Sequence, residues 1–501
     1  MTCLTAGKLH DNNAVNFIII MSNNSPSAPV SFRRRLGLFD STAIVAGSMI
    51  GSGIFIVSSD IARTVGAPGW LMVTWFATAI LTVFAAMVYG ELASLFPHAG
   101  GQYVYLKEAY NPLIGFLYGW AVFLVIQTGT IAAVGMAFAK FTGVLFPWIS
   151  EKNIWLEWGF MKFSTVHPVA IASILLLTWV NTRGISTGKT IQNIFTSTKV
   201  FVLLAIIIAG VFITSNLEAV KINKEIFWDA AKAGPGGLVS LTGFAVVAGV
   251  VTAMVGALFS SDAWNNITFA SDEVIKPKRN IPLSLIFGTI IVSVLYLLVN
   301  LAYLQSLPLR GTADGLTVAE RGMQYAVDDR IGTAAMHGLL GENAALVMAI
   351  LIMISTFGCN NGLILSGARI YYAMAVDGLF FKKAGVLNSH SVPGRALVFQ
   401  GVYASFLCLS GTYSNLLDYV VFTVLLFYII SIVAVFVFRK KIPRAERAFK
   451  AVGYPVIPVI YIAAIVFIMI ILAVYKPLYT WPGLVIVALG VPVYFIWKRN
   501  R

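Results

Sequence analysis

Gly47-Ser48-Met49-Ile50-Gly51-Ser52-Gly53-Ile54-Phe55 interrupts an apolar run that extends from residue 38 to residue 63. Glycine in a helix interior costs about 1 kcal/mol relative to alanine. A cluster of glycines and serines in mid-run therefore has one of two meanings. It is a small-residue face on which neighbouring helices pack closely, a spacing that Gly47 and Gly51 satisfy. Or it is an unwound segment whose backbone groups line a cavity.

A second interruption lies further along, at Gly256-Ala257-Leu258-Phe259-Ser260-Ser261-Asp262-Ala263-Trp264-Asn265-Asn266. Asp262 is the sole charge between Lys232 and Asp272. A carboxylate in mid-membrane costs at least about 2.5–3.5 kcal/mol, so it is expected to face a cavity or a partner. This favours the unwound reading for both sites.

The rest of the chain provides the setting. Of its 501 residues, 58% are hydrophobic and 11% are charged. An ordinary soluble domain carries about 25% charged residues. Apolar runs predict twelve spans, near 38–63, 67–95, 112–147, 166–182, 190–214, 237–273, 282–305, 338–373, 396–411, 416–437, 453–475 and 480–497. Each is near the roughly 20 residues needed to cross a bilayer. The fold class expected is an all-α membrane protein.

The net charge of +14 sits in short clusters between apolar runs. That is the pattern of topology determinants and not of a nucleic-acid surface. Arg33–Arg35, Lys276, Lys278, Arg279, Lys382, Lys383 and the 439–450 cluster fall on one face if the N-terminus is inside. The opposite face carries fewer. Both termini are thus expected in the cytoplasm. Residues 1–35 read as a disordered cytoplasmic tail, in which Met21 is an alternative start.

The two interruptions are five spans apart. Helices 1–5 (36–214) and 6–10 (237–437) form two units of five, and an odd number inverts the second unit. Helices 11 and 12 (453–497) lie outside the repeat. Interrupted helices at matching places in inverted halves are the sequence pointer to a carrier's binding site. The half-helix ends suit a zwitterion, with an anion on free N–H groups and an ammonium on carbonyls.

Lys199 lies in the fifth span, in Ile194-Phe195-Thr196-Ser197-Thr198-Lys199. It either snorkels to the inner surface or acts inside as a structural or coupling cation. Cys3, Cys359 and Cys408 form no metal or disulfide pattern. No cofactor and no metal are expected. The five histidines (His10, His98, His167, His337, His390) fall in loops or at span ends. An enzyme would need convergent catalytic groups, and none is evident.

Several patches together resemble the amino acid–polyamine–organocation superfamily and, within it, the L-type amino-acid transporter family. They are Gly51-Ser52-Gly53-Ile54-Phe55, Tyr89-Gly90-Glu91-Leu92 with Pro97, and Gly100-Gly101-Gln102-Tyr103 with Tyr105-Leu106-Lys107-Glu108-Ala109. Trp264-Asn265, Glu273 and Pro277-Lys278-Arg279-Asn280-Ile281-Pro282 complete the set. The resemblance covers about residues 35 to 440. It implies the LeuT-like five-plus-five inverted repeat with two extra helices, and sodium-independent transport of an L-amino acid by alternating access.

It also implies roles. Ser52 and Gly53 amides would hold the substrate carboxylate, with Gly51 beside them. The carbonyls of Met49, Ile50 and Phe259 would hold the amine, with Ser260 beside them. Lys199 would take the place of a sodium ion between helices 1, 5 and 8. Family members often have glycine where Asp262 stands, so Asp262 admits a cationic substrate or a proton-linked step. The loop between helices 3 and 4 lacks the cysteine that joins animal relatives to a glycoprotein, so no disulfide-linked heavy chain is expected.

The expected activity is therefore secondary transport, as an exchanger or proton symporter, by a monomer in the plasma membrane. The alternatives are a polyamine or organic-cation carrier with Asp262 as counter-ion and, from another class, a channel.

Overall fold

A computed structural model describes residues 32–499, apart from 159–160, 214–215, 235–236 and 411–412. Cys3, Met21 and nearly all of the predicted tail lie outside the described residues.

The chain is helical, with two short hairpins. The first interrupted run gives α1 (Leu38–Met49) and α2 (Val57–Val65), separated by a 3-10 turn at Gly53–Phe55. Gly66, in the left-handed region at φ 59°, closes α2. Proline at the first turn, where no N–H is required, starts α3 (Pro68–Leu95). A loop leads to α4 (Gln102–Ala109) and α5 (Pro112–Ala121). Asn111 caps α5 by accepting from the Ile114 amide at 3.1 Å. A π-turn at Val122–Ile126 joins α5 to α6 (Gln127–Leu145). The hairpin β1 (Ile154–Trp158) and β2 (Met161–Ser164) precedes α7 (Val166–Thr182) and α8 (Ile185–Ile208).

After α9 (Leu217–Glu225) comes the hairpin β3 (Ala231–Gly234) and β4 (Gly237–Ser240). The helix that follows, α10 (Phe244–Ser260), starts seven residues later than the apolar run predicted. Residues 237–240 pair as a strand instead, with Lys232 opposite Val239. Gly-rich flanks make this turn possible, and Gly237 and Gly243 both have positive φ. α10 ends at Ser260, and the short α11 (Asn266–Phe269) resumes beyond the second break.

The remainder is α12 (Pro277–Ser306), α13 (Val318–Arg321), α14 (Ile331–Leu340), α15 (Ala344–Val376), α16 (Gly394–Leu407), α17 (Tyr413–Lys441), α18 (Val456–Tyr475) and α19 (Pro477–Arg499). Eight helical segments of the described residues are long and apolar enough to cross a membrane. The shorter apolar helices α1, α7 and α10 accompany them.

α12 lies against α1 and α3, and α15 lies against α6 and α8. α12 and α15, with α3, α6 and α8, surround the broken pair, in which α2 packs on α10. α18 and α19 attach to the outside of α17. Large apolar side chains such as Phe201, Phe212, Val474 and Phe495 stay exposed on the periphery. An outward apolar belt around a polar, buried centre is what a lipid solvent requires.

Candidate functional site

Helix α1 stops at Met49, and its last carbonyls need partners, as at any helix end. Each receives a side-chain donor from a neighbouring helix. Lys199 of α8 donates to Gly47 O at 2.8 Å and to Ile50 O at 2.7 Å. Cys359 of α15 donates to Ser48 O at 3.0 Å. Ser355, one turn earlier on α15, donates to Gly51 O at 3.1 Å. Tyr296 of α12 donates to Met49 O at 3.1 Å. The break is therefore a finished structure and not a frayed end. Rewinding it would strand those donors.

Lys199 is 2% exposed. It runs beside Gly358, where an added Cβ would meet its Cε at 3.2 Å. Its ammonium thus lies between α1, α8 and α15, and the snorkelling reading fails. The backbone carbonyls of α1 are what hold it.

The glycines divide the two readings between them. An added Cβ on Gly47 would lie 2.1 Å from Thr196 Oγ1 and 2.2 Å from Gln192 Nε2. Gly47 is a packing glycine against α8. Gly53 sits in the break, where an added Cβ would lie 2.0 Å from Ser260 Oγ and 3.2 Å from Ser260 Cα. The two interruptions touch there. Tyr296 ties them again, since its hydroxyl also lies 3.1 Å from Ser260 O.

The second break spans Ser261 to Asn265, with Ala263 at a positive φ of 65°. The Phe259 carbonyl accepts from the Asp262 amide at 3.1 Å. The Asp262 carboxylate turns towards α17, where Tyr428 donates to Oδ1 at 2.5 Å. It lines two cavities of about 20 Å³ each. Each has room for about one water. One is bounded by Thr82, Phe259, Trp264 and Tyr461. The other is bounded by Gln102, Tyr118, Gln127, Thr130 and Asn266. Neither is lined by Gly51, Ser52 or Gly53.

The predicted site residues thus fall into two groups. Met49, Ile50, Gly51, Ser52, Gly53, Ser260 and Lys199 gather at the first break. Phe259 and Asp262 face the α3, α17 and α18 side. Sequence reasoning missed Tyr296, Ser355, Cys359 and Tyr428. The spacing of Ser355 and Cys359, one helical turn apart, was a faint signal. Tyr428 carried none.

Both ends of the bundle are tied. At the end bearing the N-terminal segment, the amides of Arg35 and Leu36 donate to Glu273 O. The Glu273 carboxylate pairs with Arg369 at 2.9 Å, each side chain 1% exposed. Lys189 pairs with Asp40, and Lys107 with Asp377, both at 2.7 Å. At the other end, Arg63 of α2 meets Asp329 at 2.5 Å.

This geometry, two touching helix breaks inside a helical bundle tied at both ends, coincides with a sequence match. The profile of the family described as amino acid permease matches residues 36–495. The chain belongs to that family. It is a permease of the L-type amino-acid transporter kind, an integral membrane protein of amino-acid transport and not an enzyme.

The permease is 26% identical to the b(0,+)-type amino acid transporter 1 of Homo sapiens, over 94% of this chain and 89% of that one. It is 28% identical to the large neutral amino acids transporter small subunit 2 of Rattus norvegicus, over 98% and 87%. It is 27% identical to that transporter of Oryctolagus cuniculus, over 95% and 83%.

Tyr428→Phe removes the one hydroxyl that holds Asp262 Oδ1. The net value of a hydrogen bond to a charged group is about 1.5–3 kcal/mol. The variant permease is expected to transport with a changed pH profile or substrate preference, read by proteoliposome uptake across pH. Unchanged profiles for Tyr428→Phe and Asp262→Asn would remove this pair from the mechanism.

Proposed function

We propose that the permease carries L-amino acids by alternating access, without sodium, as an exchanger or proton symporter. The observation that carries the reading is Lys199. A lysine ammonium held by the Gly47 and Ile50 carbonyls supplies a built-in cation at the first break. A mobile cation there would have to displace it.

In this reading twelve spans cross the plasma membrane with both termini in the cytoplasm. Residues 36–214 and 237–437 form the inverted halves, and 453–497 the two added helices. The substrate carboxylate sits on the Ser52 and Gly53 amides. The substrate amine approaches the carbonyls of Met49, Ile50 and Phe259. Met49 O accepts from Tyr296 and Phe259 O from the Asp262 amide, and a carbonyl has a second lone pair to offer. Ile50 O takes Lys199 at 2.7 Å and the longer Ser355 contact at 3.4 Å, which the amine would replace. Ser260 and Gly51 shape the space between. Lys199 is the structural or coupling cation. The loop at 147–165 contains no cysteine, which supports a monomer without a disulfide-linked heavy chain.

Purified permease in liposomes is expected to take up labelled amino acid equally in sodium and in choline medium. Strict dependence on sodium would reject the reading. Lys199→Ala is expected to lower uptake at least about tenfold, since it strands the buried Gly47 carbonyl, at about 1–3 kcal/mol, and leaves Ile50 O with only the Ser355 hydroxyl at 3.4 Å. Wild-type uptake by that variant would remove Lys199 from its place.

A second reading rests on Asp262, a carboxylate facing two small, mostly apolar cavities. It makes the substrate a polyamine, another organic cation or a cationic amino acid, with Asp262 as counter-ion. Competition by putrescine but not by leucine would favour it. Saturable uptake separates both readings from a channel.

A further inference from the structure

The linker between α17 and α18, residues 442–455, is held flat against the bundle. Its anchor is Glu91 of α3, which is fully buried. The carboxylate accepts from Arg439 at 2.7 Å, from Arg447 at 3.1 Å and from the Ala451 amide at 2.8 Å. Ser94, also on α3, donates to Phe449 O at 3.2 Å. The Arg439 guanidinium stacks 3.6 Å from the Tyr454 ring centre. Four of these contacts, at Arg447, Phe449, Ala451 and Tyr454, therefore fix a segment that topology alone would leave as a loose loop.

The pinning sorts the charges of the strap and of the end of α17. Arg439 and Arg447 turn inward to Glu91. Lys440, Arg444 and Lys450 remain exposed. The start of α12 adjoins this strap, since Phe449 and Pro282 both crowd Gly90. It adds exposed Lys276, Lys278 and Arg279. Among the described residues none of these six makes an ion pair, while Glu446 is the one acid exposed on the strap.

The height of the strap is also set. The exposed apolar side chains Val456, Val459 and Ile460 begin directly at its end. Within it Ile442 and Val452 are exposed. Six unpaired cations thus lie at the edge of the apolar belt, with short apolar side chains between them. Basic residues at that level attract anionic lipid.

We propose that the 442–455 strap and the start of α12 form a binding surface for anionic phospholipid headgroups of the leaflet on that side. The buried Glu91 positions the surface and takes no part in contact with lipid. The surface is independent of the substrate site, so its failure leaves the transport reading intact.

The test uses the full permease in a neutral detergent. Its melting temperature is measured with added phosphatidylglycerol, with phosphatidylcholine and with inorganic phosphate. Phosphatidylglycerol is expected to raise it, and the other two are not. The triple variant Lys440→Gln, Arg444→Gln, Lys450→Gln is expected to lose at least half of that rise while melting like the wild type in phosphatidylcholine. Should the variant fail to fold, the wild type in about 1 M salt, where charges screen within about 3 Å, is expected to lose the rise. An equal rise with phosphatidylcholine, the same rise with phosphate, or a rise that survives both the variant and the salt would overturn the proposal.

Discussion

Gly53→Ala is expected to abolish most transport. The new methyl carbon would stand 2.0 Å from Ser260 Oγ and 2.7 Å from Ser260 Cβ. Ser260 cannot swing aside without cost, because its hydroxyl is bonded to Gly256 O at 2.8 Å. The two breaks must then separate, and Tyr296 can no longer bridge Met49 O and Ser260 O. Overpacking of this kind costs about 1–3 kcal/mol. Expressed in the state that holds substrate, that is about 5- to 150-fold in uptake. The companion variant Gly53→Ala with Ser260→Gly removes the two nearest atoms and leaves Ser260 Cα at 3.2 Å. It is expected to recover part of the loss. Uptake by Gly53→Ala at the wild-type rate would show that the breaks need no such contact.

The second large effect is on stability. Glu273 and Arg369 are each 1% exposed and pair through two oxygens. Removing one partner of a buried pair costs about 3–5 kcal/mol, because the other charge is left uncompensated. Arg369→Met alone is expected to lower the melting temperature by about 5 °C or more. Arg369→Met with Glu273→Gln is expected to recover most of it, since an uncharged glutamine replaces the orphaned carboxylate. The Glu273 backbone oxygen also receives the Arg35 and Leu36 amides, so the same variants are expected to loosen the N-terminal segment on that side. Faster cysteine labelling of a probe placed at Leu36 would report it. Equal melting of the single and double variants would mean that the pair carries no stability of its own.

Much of this permease is legible in its sequence. Many helix positions follow from runs of apolar residues, and α7 at Val166–Thr182 coincides with the expected 166–182. Gly51–Gly53 and Ser260–Asp262 were read as breaks, and both helices do stop there. These signals survive in one dimension because they are local. Glycine and a lone carboxylate are costly in an apolar helix wherever the helix lies. The start of α10 was misread because β4 is itself apolar, and hydrophobicity does not distinguish a short strand from the first turn of a helix.

The partners of the breaks were not legible. Tyr296, Ser355 and Cys359 sit in long apolar helices where any polar atom could face any neighbour. Their meaning comes from the α1 carbonyls, more than 240 residues away in the chain. Asp262 shows the same limit. Its cost in the membrane was evident, but its direction was not.

What the sequence by itself determined was the solvent, the succession of helices and the two places where they fail, since each depends on a residue's own cost. Only the tertiary structure decided which donors complete the first break, that Gly47 packs while Gly53 admits Ser260, and that Asp262 turns to Tyr428 and away from Gly51–Gly53. Those outcomes depend on which helices become neighbours, and that is settled by packing over the whole bundle.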